Sequence, residues 1–330
     1  MLSGRKWTLA ALFLASAATA ATNLKQETAL EAGRRAYESC DYVRAIEALQ
    51  AAAAKDQQNG DVQLLLAKSY LELQEHDPAI KSAERAVAID AQNSVYHEWL
   101  GRAYGEKADH ASWFSAISLA KKTRKEFETA VQLDDKNFSA RQALIEFDCS
   151  APGLVGGGEE KALPQIRQLA ELDAAEGYYA AGNCRRQKKD FAAADAEFTK
   201  ALESDPKSAE LIYDIGDYAL KHNQPERLQA VADTGERVAP GDPRGKFYRG
   251  AALALKKENP EEAKRLLEEY AKNAPMRSGY PRPAAAHMWL GRLFEDQNRM
   301  EDAAKEFEKA LKLDPKNKTA QEALKRLKKK

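Results

Sequence analysis

Near the carboxyl end of the chain the apolar positions fall three and four residues apart: Ala303, Phe307 and Ala310 in "AAKEFEKALKLDP". Residues so spaced share one face of a helix, and the lysines and glutamates between them take the other. The stripe recurs as Ala194, Phe198 and Ala201, and a proline follows five residues after each, Pro315 and Pro206. Proline has no N–H to donate and so closes the helix. Twelve residues before each stripe stands a glycine, Gly291 or Gly182, midway along an earlier helix. Small residues let the two helices approach closely, and the aromatic fills the gap between them. The pattern predicts pairs of amphipathic helices.

Those glycines belong to a series. Gly33, Ala67, Gly101, Gly182, Gly216, Gly250 and Gly291 open the same phrase, and four of the steps between them are 34 residues. A fixed period of this length marks a helical repeat array. The matching second-helix position carries Ala45, Ala79, Ala162, Ala194, Ala263 and Ala303, with Thr123 and Leu228 in two weaker units. Short helices are marginal alone, so each must bury its stripe against a neighbour. Capping fits the register: Asp77-Pro78 and Asn259-Pro260 place an N-cap before a proline, with Glu262 where a capping-box partner belongs.

The spacing resembles the tetratricopeptide repeat family over roughly residues 26–317. The resemblance implies an all-α, right-handed superhelical solenoid of about eight antiparallel helix pairs. The expected layout is repeats 1–3 over 21–137, a degenerate repeat over 138–175, repeats 5–8 over 176–317, and a basic capping helix over 318–330. The third unit is ten residues too long, which places a helical insertion at 105–127. The fourth has Ile145 where a small residue is expected, and a glycine-rich stretch at 151–158. Together these two features look similar to exported bacterial members of the family with no assigned activity.

The first 20 residues predict an export signal. Arg5 and Lys6 precede an apolar stretch, and Ala18-Thr19-Ala20 is a small-residue cleavage site. No later stretch is long and apolar enough to span a bilayer. The expected location is therefore exported, periplasmic or secreted from a bacterium, with no integral span after cleavage. Lysine plus arginine balance aspartate plus glutamate, 51 each. That balance gives no footprint for nucleic acid. Cys40 falls in a predicted turn, whereas Cys149 and Cys184 lie on first helices of consecutive repeats; they are either buried free thiols or, in an oxidising compartment, a disulfide.

Nothing in the chain spells catalysis. The five histidines lack ligand spacing, so neither a metal nor a cofactor is expected. His97 and His287 occupy equivalent places and read as helix residues. The stretch "APGLVGGGEEKA" lacks the strand and Lys-Ser/Thr pair of a phosphate loop, and reads as a flexible connector. Binding is the better class. In the resembled family the concave groove is lined from first helices at fixed offsets from the small residue. Carried onto this chain, those offsets give Arg102, Glu106, Tyr179, Asn183, Arg186, Tyr213, Asp217, Phe247, Met288, Arg292 and Glu295. Tyr213 and Phe247 could equally pack between helices. Trp113, Phe114 and Ile117 of the insertion either pack onto the array or form an apolar lip for a ligand. The function expected is a scaffold or adaptor that takes a peptide or protein segment in the groove. A fixed component of an envelope or secretion assembly, and a small-molecule or glycan binder, are the alternatives.

Overall fold

A computed structural model describes residues 27–327 of the chain. The expected signal segment lies outside the described residues, as do the last three lysines. The described residues form seventeen α-helices and a single one-turn 3-10 helix. The first three pairs are α1 (Ala29–Glu38) with α2 (Tyr42–Lys55), α3 (Gly60–Glu72) with α4 (His76–Ile89), and α5 (Ser94–Asp109) with α6 (Trp113–Leu133). Next come α7 (Phe138–Ser150) with α8 (Glu159–Leu172), and α9 (Ala174–Gln187) with α10 (Phe191–Glu203). The last three pairs are α11 (Ala209–Lys221) with α12 (Pro225–Val238), α13 (Pro243–Lys256) with α14 (Pro260–Asn273), and α15 (Pro283–Asp296) with α16 (Met300–Leu313). Helix α17 (Lys318–Leu327) caps the stack. The whole is an all-α superhelical array of eight helix pairs, and no described helix is long and apolar enough to cross a membrane.

The periodic residues hold the pairs together as their spacing predicts. Ala45, Ala79, Ala162, Ala194, Ala263, Ala303 and Leu228 are wholly inaccessible, and Thr123 nearly so. A methyl group added to Gly182 would come within 2.6 Å of the Phe198 ring, and one on Gly291 within 2.4 Å of Phe307. The glycine is therefore the floor on which the aromatic of the partner helix rests. His97 and His287 share one task. Each sets Nδ1 against a second-helix carboxylate, Glu126 at 2.6 Å and Glu306 at 2.7 Å.

Six of the turns inside pairs share one geometry. Cys40, Gln74, Lys189, Asn223, Lys257 and Asn298 each take a left-handed backbone, with φ between 51° and 61°. The next residue's N–H reaches back to a carbonyl five residues earlier, as Asp41 does to Ala36 and Arg299 to Phe294. This is the Schellman closure of a helix. It usually recruits glycine, and here none stands in the sequence to announce it.

Two expectations need correction. Asp77 is not an N-cap: α4 starts at His76 with Glu75 at the cap, and Asp77 in its first turn pairs with Lys107 of α5. Asn259 does cap α14, and a complete capping box sits at Thr28 and Glu31 of α1. The glycine-rich stretch, for its part, is not an open connector. It winds through the 3-10 turn Gly153–Val155 and buries Val155. The Gly158 N–H then donates to the Asp148 carbonyl, while Gly156 accepts from Lys161. Asp148 is itself buried and held by Arg124 of α6 at 2.9 Å.

Repeat 3 departs most from its neighbours. Its helices run 16 and 21 residues, so the extra length extends both at their shared tip. That tip stands beside the glycine-rich turn of the next repeat. Trp113 and Phe114 remain 68% and 85% exposed, so the insertion does not fold this edge back onto the array.

Candidate functional site

First helices α3, α5, α7, α9, α11 and α13 line one face of the array, and three cavities follow one another along it. The largest, about 1020 Å³, lies between the tip of repeat 3, the glycine-rich turn and helices α3, α5 and α7. Arg102, Ala143 and Glu146 form a wall it shares with a middle cavity of about 230 Å³. Ser139, Gln142, Tyr179 and Asp214 are shared in turn with a third of about 460 Å³. The result is a trough running from repeat 2 to repeat 7.

Its middle is polar and mostly pre-set. Arg102 donates from Nε to Glu98 at 3.0 Å and from Nη2 to Ser139 at 3.1 Å, and Ser139 donates to Glu98 at 2.7 Å. The Tyr179 hydroxyl donates to Asp214 at 2.5 Å, and burial beside that carboxylate raises its pKa. Tyr248 donates to Asp217 at 2.7 Å and so fixes a carboxylate that remains open to water between the trough walls. Two groups are left without such a partner. Asn183 Oδ1 is buried with no hydrogen bond, and Arg186 forms no ion pair, among the described residues.

Among the carboxylates, burial acts most strongly on Glu176, which lines the third cavity. It is 9% exposed and accepts from Gln142, and burial, with Asp173 adding to it, pushes its carboxyl up to about 7. The folded chain keeps this proton to about pH 7, whereas an unfolded glutamate loses it near 4.5. Stability therefore falls as pH rises between those values and is level above them. Glu176→Gln is expected to raise unfolding free energy at pH 8 by about 2–3 kcal/mol and to change little at pH 4. Urea denaturation of both proteins at the two pH values checks this.

The residues expected from sequence fall into three groups. Arg102, Glu106, Tyr179, Asn183, Arg186 and Asp217 all border the trough, as do Trp113 and Ile117. Tyr213 also lines the third cavity, but its ring and that of Phe247, which lines none of the three, are packed between helices. They are 1% and 0% exposed, and Tyr213 stacks on Tyr248 at 5.5 Å with Arg244 over its other face. Met288 is buried, and Arg292 lies exposed over Trp289, away from the three cavities. Glu295 is engaged by Arg326 of the capping helix. Phe114 sits on the extension but outside the cavity walls.

Comparison with known proteins identifies the repeat. Tetratricopeptide repeat profiles match residues 29–102, 175–208 and 251–318, together more than half the chain. The chain is a tetratricopeptide repeat protein. A curated relative, the anaphase-promoting complex subunit 7 of Arabidopsis thaliana, is 29% identical over 136 residues. That match takes in 39% of this chain and 22% of the relative, so the chain spans under a quarter of its length. Solved structures with a similar course include a tetratricopeptide repeat protein of Thermus thermophilus, with TM-score 0.46 and 20% identity. It covers 56% of this chain and 93% of its own. The Cut9-Hcn1 complex gives TM-score 0.47 at 14% identity over 91% of this chain and 55% of its own.

Within the tetratricopeptide array, the wall residues missed from sequence obey the offsets used for the others. Gln142 and Glu146 stand three before and one after Ile145, as Tyr179 and Asn183 stand about Gly182. Lys68 follows Ala67 in the same way. Ile145 holds the small-residue position of repeat 4, and the offsets were not carried from it because it is bulky, although its side chain is buried as the smaller residues are.

Proposed function

We propose that this tetratricopeptide repeat protein is an exported scaffold or adaptor that takes a peptide or protein segment into the trough. The observation that carries the reading is the trough itself. Its walls come from consecutive first helices, and most of its polar groups are already held in place. Little ordering cost falls on the protein when a ligand enters. An extended backbone offers the N–H donors that Asn183 Oδ1 lacks, and its carbonyls and acidic side chains suit Arg186. Export is supported by the pattern of the first 20 residues and by the Cys149–Cys184 disulfide, a bond that persists in oxidising compartments.

The test uses mature protein from Ala21 carrying a photoreactive side chain in place of Arg186, with a second version placing it at Phe114. In an envelope extract the first should trap one protein, and Asn183→Ala should weaken that capture about tenfold. Capture through position 114 alone would instead fit a fixed assembly component, a reading favoured by the exposure of Phe114 outside the trough. Silence at both positions would send the search to small molecules and glycans.

A further inference from the structure

The large cavity beneath the repeat-3 tip has both apolar walls and a one-sided charge. Leu71, Trp99, Ile117, Phe147 and Leu154 contribute apolar surface, and the exposed Trp113 stands at its mouth. Six charged residues border it: Glu72, Glu106, Asp109 and Glu146 against Lys68 and Arg102. The two cations are already occupied. Lys68 lies over the Trp99 ring at 4.4 Å, and Arg102 is tied to Glu98. Glu106 and Asp109 are exposed and form no ion pair among the described residues. The lysines of α6 do not alter this balance: Lys121, Lys122 and Lys125 are not in the cavity wall, and Lys122 lies over Tyr104.

We propose that this cavity holds a basic peptide segment anchored by a bulky apolar side chain, with its lysines or arginines against Glu106 and Asp109. The inference rests on the trough reading and narrows its ligand. A cavity of about 1020 Å³ accepts a tryptophan or leucine anchor together with its flanking backbone. The Trp113 ring face supplies a second attraction for a flanking cation. The same carboxylates repel acidic segments and anionic surfaces, so the charge selects as well as binds.

Fluorescence anisotropy with the whole mature protein tests this, using three labelled probes. They are Lys-Arg-Trp-Leu-Lys-Arg, its counterpart with glutamate at every basic position, and Lys-Arg-Ala-Ala-Lys-Arg. The first should bind at least about tenfold more tightly than either of the others. Trp113→Ala should weaken it about tenfold, and Glu106→Lys with Asp109→Lys should reverse the preference toward the acidic probe. Phe114→Ala, outside the cavity, should leave binding unchanged. All these positions are exposed, and helical circular dichroism verifies that the variants fold. Equal binding of basic and acidic probes, binding indifferent to Trp113, or no binding of any probe overturns the proposal. So does a Trp113-dependent dimer in sedimentation, which would assign the cavity to a second copy of the chain. If the probes fail while photocapture through position 186 persists, only this inference falls. If both fail, the trough reading falls with it.

Discussion

Phe198→Ala is expected to lower the unfolding free energy by about 3–5 kcal/mol, the range for emptying a packed aromatic site. The ring is 1% exposed, lies edge-on to Tyr218 at 4.8 Å, and rests on the bare backbone of Gly182. Gly182→Ala tests the other side of that contact. Alanine favours a helix over glycine by about 1 kcal/mol, but its methyl would lie 2.6 Å from a ring with no room to retreat. Overpacking of about 1–3 kcal/mol should outweigh that gain, for a small net loss. The double variant decides the matter. The new methyl enters the space the ring has left, so the two losses should fall short of additivity by about 1 kcal/mol or more. Strict additivity in urea denaturation would mean that the glycine and the aromatic do not hold one another.

Opening the Cys149–Cys184 bond is expected to cost about 3–4 kcal/mol, the chain-entropy figure for a closed loop of this size. The bond spans 35 residues and joins α7 to α9 with their Cα atoms 5.5 Å apart. Cys149→Ala with Cys184→Ala should match the reduced wild-type protein in urea, while Cys40→Ala should leave both transitions unmoved. Coincident transitions for oxidised and reduced wild type would show that the bond adds nothing to stability. The effect should also reach the trough. Gln142 and Glu146 project from α7, and Asn183 and Arg186 from α9, so the bond sets the distance between facing walls. Reduction should therefore weaken photocapture at position 186 along with stability.

Much of this protein was legible in its sequence, because in a repeat array each unit meets only its neighbours. The spacing of Gly182 to Ala194, Phe198 and Ala201 already describes a local contact, and copying it along the chain yields the fold. The trough was partly legible for the same reason. Offsets from the small residue located Arg102, Tyr179, Asn183 and Arg186, and the same offsets from Ile145 would have added Gln142 and Glu146. The offsets failed at Tyr213 and Phe247, where identical spacing leads to a buried ring. An aromatic at a groove position turns inward when its neighbours leave space, and here Gly235 lies against the Tyr213 hydroxyl and leaves that space.

The sequence by itself determined the helix pairs, their number and their register, since these follow from periodic residues acting over one repeat. Tertiary structure decided which of the candidate side chains line the trough and which are buried. It exposed Trp113, wound the glycine-rich stretch into a wall, joined Cys149 to Cys184, and closed six turns without glycine. Each of those outcomes depends on the shape left by adjoining helices or turns rather than on the identity of the residue, and a repeating pattern carries no record of that shape.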